Sequence, residues 1–344
     1  MTALLLAFCA CCAYGQTGLF DSDEVLAIKL KGSLRNLLND RSSAKPKDFP
    51  LVLTVANEDS GQLEIPVLVR TRGNFRRMKE NCKYPPLFIQ FSKKSSHLNS
   101  VFKEQKKLKL VMPCSGDNYI VQEWLVYKIY NLFTPHSFRA RLVQVTLEDD
   151  KTNKPIGPFY GILLEEEKQM AKRNDMVQLE KKVSPQQLEP NPFLTMAVFQ
   201  YLIGNTDWSV PYLHNIKLLA KDSLSAPIPV PYDFDHSGIV NTPYAHPAEL
   251  LNLSSIRIRR YRGYCVGNIT KFEPVLALFN RLKTDIYGIY SNCPLLDEKY
   301  KKSTFRFLDE FYSTINNPKS WQKEFAYPCD PKGSGNVVIQ GLNN

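Results

Sequence analysis

The order in which two hydrophobic periods follow one another restricts the fold of this chain more than any other feature. In the first half, apolar residues recur every second position. Lys107–Met112 shows it most clearly, with Leu108, Leu110 and Met112 on one face and Lys107, Lys109 and Val111 on the other. Strands are predicted over 25–30, 51–55, 65–72, 85–91, 107–112, 139–147 and 159–164. One helix interrupts them, over 118–133, with Val121, Trp124, Leu125, Ile129 and Leu132 as its apolar stripe, Asp117 or Asn118 as cap and Pro135 as stop. A charged connector with a short helix is expected over 165–175, and beyond it the period turns helical. Residues 192–203 are apolar around most of the helix surface, with Asn191 expected as cap and Gly204 as terminator. Two short strands are expected at 215–220 and 227–234, and helix from about 270 to 319. The pattern is that of an α+β chain: a β-rich region over 16–165, an α-rich region over 166–330, and a Gly- and Asn-rich tail at 331–344.

The chain has 344 residues, of which 43% are hydrophobic, enough for a large core and incompatible with disorder. No internal apolar run reaches the ~18 residues of a membrane span. Residues 1–15 read as a signal peptide: the apolar stretch Ala3–Ala13 is short, and Ala13-Tyr14-Gly15 offers small residues for cleavage, although no Lys or Arg precedes it. Export to a periplasmic or extracellular location is therefore expected, and a lipoprotein reading through Cys9, Cys11 or Cys12 ranks second. Export permits disulfides. Cys82 and Cys114 flank strands of one sheet and form the expected pair. Cys265 and Cys293 are expected not to pair, because a single long helix between them would hold its ends about 30 Å apart. The odd number of cysteines after cleavage leaves one thiol free. The net charge of +10 suits an acidic partner such as a nucleotide, and equally serves plain solubility.

Candidate chemistry concentrates in Gly204–Asp235. A buried helix ends at Gly204, a loop carries Asp207, a strand starts at Asn215, and a returning strand ends at Asp233-Phe234-Asp235. Antiparallel pairing about Leu224 would set Asn215 opposite Asp233. Amide and carboxylate oxygens gathered in this way suit Mg2+, which takes one or two carboxylates plus substrate phosphates. A loop carboxylate also suits deprotonation of an attacking hydroxyl.

The succession Asn205-x-Asp207, Asn215, hairpin, Asp233-Phe234-Asp235 resembles the catalytic and metal-binding segments of protein-kinase-like enzymes. It is most similar to the spore-coat CotH-type kinases and more distantly to HipA-type kinases. Arg72-Gly73-Asn74 and the stretch Phe159–Glu165 add to the resemblance, which covers roughly residues 60–240. It implies a two-lobed protein-kinase-like fold that uses Mg2+ and ATP. Asp207 would be the catalytic aspartate, and Asn215, Asp233 and Asp235 the metal ligands. Lys109 would be the phosphate-binding lysine and Glu123 its helical partner. The loop 72–81 would cover the phosphates through Gly73 backbone and Arg72, Arg76 or Arg77. The departures are Asn205-Thr206 in place of His-Arg, Asp235 in place of Gly, an eight-residue step from Asp207 to Asn215, and the lack of G-x-G-x-x-G.

Taken singly, each of these residues has a plain structural reading: turn residues for Asp207 and Asn215, a solvated strand face for Lys109, an exposed helix position for Glu123. In combination they point to an exported phosphotransferase with a hydroxyl acceptor, protein being the leading candidate; transfer of an adenylyl group would use the same residue types. The alternative is a catalytically inactive pseudokinase that binds a partner at the cell envelope. Nucleic-acid binding through Arg70, Arg72, Arg76, Arg77 and Lys79 ranks last, since aromatic interleaving and a nucleic-acid fold are lacking.

Overall fold

The computed structural model describes residues 18–42, 44–57, 61–92 and 96–330. The expected signal peptide at 1–15 and the tail at 331–344 lie outside the described residues. The elements run β1 (Leu26–Gly32), α1 (Leu34–Asn39), β2 (Phe49–Asn57), β3 (Gly61–Thr71), β4 (Leu87–Phe91), β5 (Lys107–Val111), α2 (Asp117–Phe133), β6 (Ala140–Asp149) and β7 (Pro155–Leu164). There follow α3 (Glu167–Arg173), β8 (Val177–Leu179), α4 (Pro190–Ile203), β9 (Ile216–Ala220), β10 (Ile228–Pro231), α5 (Glu273–Arg281), α6 (Lys283–Ser291), α7 (Glu298–Ile315) and α8 (Pro318–Phe325). The chain is thus mixed α/β, with a β-rich N-terminal region and a helical C-terminal region, and among the described residues no helix is long and apolar enough to cross a membrane.

The first seven strands close into a barrel in the order β1-β2-β3-β4-β5-β7-β6. The seam is a parallel pairing of β1 with β6, from Leu26 against Val143 to Gly32 against Asp149. Closure is a departure from the ordinary open sheet of a protein-kinase lobe. It removes the free edges that an open sheet would leave. The inward side chains follow the period of two: Ile28 and Leu30, Leu51 and Leu53, Ile65, Val67 and Val69, Leu108 and Leu110, Val143 and Val145. The outward faces of β5, β6 and β7 are apolar as well, through Val111, Leu142, Ile162 and Leu164, because α2 packs over them. Phe159–Leu164 of β7 accordingly reads as a near-continuous apolar run, whereas β5 keeps Lys107 and Lys109 on its outer side.

That outer layer is continuous with a second core, built on α4 and covered by α5 to α8. The helix α4 is buried all round, from Phe193 and Leu194 to Leu202 and Ile203. It begins at Pro190 after Glu189, two residues earlier than a cap at Asn191 would allow, and it ends on Gly204 in the left-handed conformation at φ 66°. In α2 the N-cap is Gly116; Asp117 turns its carboxylate to the Tyr160 N–H instead, at 3.2 Å. The expected helical stretch from 270 to 319 is broken at Leu282, across 292–297 and at 316–317, so that it holds α5, α6, α7 and the start of α8; Asp297 caps α7 through the Tyr300 N–H. Cys82 pairs with Cys114 as expected, Cys265 pairs with Cys329, and Cys293 is an unpaired, buried thiol.

Candidate functional site

A cleft of about 340 Å³ opens where the outer face of the barrel meets the β9–β10 ribbon. Its floor comes from Lys109 and Val111 on β5, Leu164 on β7 and Tyr127 on α2; one wall is the loop after β3, with Arg72, Gly73 and Arg76; the other is the ribbon mouth, with Asp207, Asn215, Asp233 and Asp235. Glu123 does not line it, lying behind Arg76.

The ribbon mouth is built by left-handed backbone. The ladder pairs Ile216 with Pro231, and the Asn215 carbonyl accepts from the Tyr232 N–H at 3.1 Å. Asn215 therefore faces Tyr232, one residue short of the Asp233 expected from sequence. The pairing axis falls between Ser223 and Leu224, where Asp222 accepts from the N–H groups of Leu224 and Ser225 and sets the loop. A slip of one residue would ordinarily send a side chain to the opposite face. Here the ladder stops, with Leu213 and Asn215 at φ 52° and Asp233 at φ 63°, so that Asn215 and Asp233 both border the cleft. Asn and Asp are the non-glycine residues that tolerate this conformation best.

Asp207 is fixed on both oxygens. Its Oδ1 lies 2.8 Å from His214 Nε2, its Oδ2 accepts from Asn215 Nδ2 at 3.0 Å, and its amide donates to Asn205 Oδ1. Burial alone would lower the His214 pKa, but the hydrogen bond and charge of Asp207 outweigh it and raise it. Arg262 holds the backbone around Asp207, donating from Nη1 to the carbonyls of Thr206 and Trp208 on either side of it. Burial lowers the pKa of this guanidinium to about 10.

Lys109 and Glu123 do not pair. Lys109 is buried under Phe138 and Tyr232 and sits 2.5 Å from Glu167 at the start of α3. Burial, then the nearby Arg72, lowers the Lys109 pKa to about 8, while Lys109 pulls that of Glu167 down to about 2 against its own burial. Glu123 takes Arg76, at 2.8 Å. Burial raises the Glu123 pKa to about 7 despite that partner. Arg76 correspondingly directs its guanidinium to carboxylates of the protein. Its Nε and Nη2 close on Asp235 Oδ2 at 2.7 and 2.6 Å, and Tyr244 donates to the same oxygen at 2.9 Å. Asp235, expected as a metal ligand, thereby spends its Oδ2 on the protein. Sequence reasoning missed Glu167 and Arg262 as parts of the site; His214, directly before Asn215, flanks it as its place in the chain indicates, and supports Asp207.

Two sets of groups remain open to a ligand. Arg72 has no side-chain hydrogen bond or ion pair among the described residues, and beside it Gly73 adopts φ 85°. The Asp233 carboxylate is 44% exposed and only 3.8 Å from Arg76 at its nearest approach. Loss of bulk water, then the Asp235 charge, raises its pKa. Asn215 spends its Nδ2 on Asp207 and leaves Oδ1 available. A carboxylate and an amide oxygen at one cleft mouth fit a hard divalent cation that takes its remaining ligands from phosphate and water. Among the described residues no three His, Cys, Asp or Glu side chains converge as a self-sufficient metal cage.

No protein-family model matches the chain, and no curated protein matches it. Among solved structures it is similar to the Helicobacter pylori proinflammatory kinase CtkA, at 14% identity and a TM-score of 0.40, over 76% of this chain and 95% of that one. A likeness at that score carries no weight for fold or activity.

Proposed function

We propose that the chain is an exported, kinase-like phosphotransferase that binds Mg-ATP in the cleft and transfers a phosphoryl group to a hydroxyl acceptor, with protein as the leading acceptor class. The observation that carries this reading is the meeting of Asp207, Asn215, Asp233, Lys109 and Arg72 on one cleft. It agrees with the resemblance of the same segments to CotH-type kinases, and the two disulfides agree with an oxidising compartment.

In this reading Asn215 and Asp233 hold the divalent ion, which would neutralise phosphate charge. Arg72 and the Gly73 backbone face the polyphosphate, and Arg72 supplies a planar, permanently charged fork for it. Lys109 carries three donors and spends one on Glu167, so two remain for phosphate oxygens. Asp207 accepts the acceptor's hydroxyl proton. Its oxygens offer about four lone-pair sites, and His214 and Asn215 use two. With its loop gripped by Arg262, the carboxylate is positioned before the acceptor arrives.

The absence of a Lys109–Glu123 pair favours a second reading, a cleft that binds nucleotide without turning it over. Mg-ATP at 100 times its Kd should stabilise the protein by about 2.7 kcal/mol in either case. Release of phosphate or labelling of an acceptor by the wild type, abolished in Asp207→Ala and Asp233→Ala, establishes the enzyme. Stabilisation without turnover establishes the binding module. If Mg-ATP gives no stabilisation and neither variant changes anything, both readings are wrong.

A further inference from the structure

The cleft contains an ion-pair cluster that the proposed chemistry leaves unused. Arg76, in the 3₁₀ turn Phe75–Arg77, reaches across to α2 and to the segment after β10, and three carboxylates surround its guanidinium. The Nη2 group lies 2.8 Å from Glu123, 2.6 Å from Asp235 and 3.8 Å from Asp233. The side chains of Arg76, Glu123 and Asp235 are 9%, 1% and 6% exposed. Phe75 packs against the rings of His236 and Tyr244 and keeps the turn from swinging away.

We infer that Arg76 occupies, as a built-in cation, the place that a second divalent ion would otherwise take, so that the cleft binds one metal ion per nucleotide. The inference rests on the Mg-ATP reading above. Charge accounts for it. Arg76 sets a permanent positive charge among the carboxylates of Glu123, Asp233 and Asp235, since a guanidinium keeps its proton in proteins, and a second cation cannot take the same place beside it. The ligand set says the same. Asp235 Oδ2 already accepts from Arg76 twice and from Tyr244, and Glu123 lies behind Arg76, so that of the three carboxylates Asp233 is the exposed one, at 44% against 1% and 6%, and it stands beside Asn215 at the cleft. The segment Asp233-Phe234-Asp235 therefore divides its labour: its first carboxylate serves the ion and its second anchors the arginine.

The test is a count of bound Mn2+ by electron paramagnetic resonance, on the full chain with a non-hydrolysable ATP analogue. One equivalent per ternary complex is expected through the millimolar range. Asp233→Asn should weaken Mn2+ binding by about tenfold or more, and Asp235→Asn by less than about threefold. A second equivalent of comparable affinity overturns the inference while leaving the nucleotide reading intact. So does an Asp235→Asn loss as large as that of Asp233→Asn. If Asp235→Asn fails to fold, the wild-type count decides alone. Should neither nucleotide nor Mn2+ bind, the functional reading falls and this inference falls with it.

Discussion

Replacing Arg76 by Met isolates the charge of the cluster from its packing. Met keeps most of the aliphatic volume but leaves Glu123 and Asp235 buried close together without a cation. Removing one partner of a buried ion pair costs about 3–5 kcal/mol, because the stranded charge loses its compensation. We expect a loss of about 4 kcal/mol at pH 7, read as a shifted urea midpoint by tryptophan fluorescence. The sign of the pH dependence separates charge from shape. In the wild type, Arg76 draws the Asp235 pKa down to about 2 against its burial. Its stabilisation is therefore present above the ordinary carboxylate value and lost as pH falls toward 2. In Arg76→Met the Asp235 carboxyl rises above its unfolded value and Glu123 rises further above the value of about 7 that burial already gives it, so the native state binds more protons than in the wild type and stability decreases more steeply as pH increases. The deficit should be smallest near pH 5 and should grow toward pH 8. A deficit that is the same at both pH values would show that lost packing accounts for it. A deficit below about 1 kcal/mol would refute the claim that the cluster needs its cation.

The Cys265–Cys329 bridge closes a separation of 64 residues and ties the segment just after Arg262 to the turn after α8. Serine at both positions should cost about 4 kcal/mol in the chain-entropy account, seen as a lower denaturation midpoint under oxidising conditions that leave Cys82–Cys114 intact. Arg262→Met should lower turnover by about tenfold while the Kd for Mg-ATP stays within about twofold, because the side chain fixes the Asp207 loop rather than the nucleotide side of the cleft. Arg262→Lys should recover only part of the rate, since the ammonium falls short of the place between the Thr206 and Trp208 carbonyls that Arg262 Nη1 reaches. A parallel loss of binding would place Arg262 in general folding instead.

The features legible in the sequence were those set locally. Alternation at Lys107–Met112 marked which side of β5 faces the barrel interior, and Gly204 marked the end of α4 because only a residue at ease with positive φ closes a helix that way. Barrel closure was not legible, since the β1–β6 seam joins residues more than a hundred positions apart and parallel pairing leaves no turn signature. The ribbon was misregistered by one residue, because the parity of a hairpin loop depends on how Asp222 folds it and not on its midpoint. The ionic partners were hidden for a related reason. Lys109 and Glu123 stand on neighbouring elements, but a buried charge takes whichever opposite charge the packed faces leave within reach. The start of α3 brings Glu167 to Lys109, and the turn after β3 brings Arg76 to Glu123. Spacing along a chain indicates which residues can approach a cleft; the partition of charge among them is decided by desolvation, which appears only once the layers are assembled.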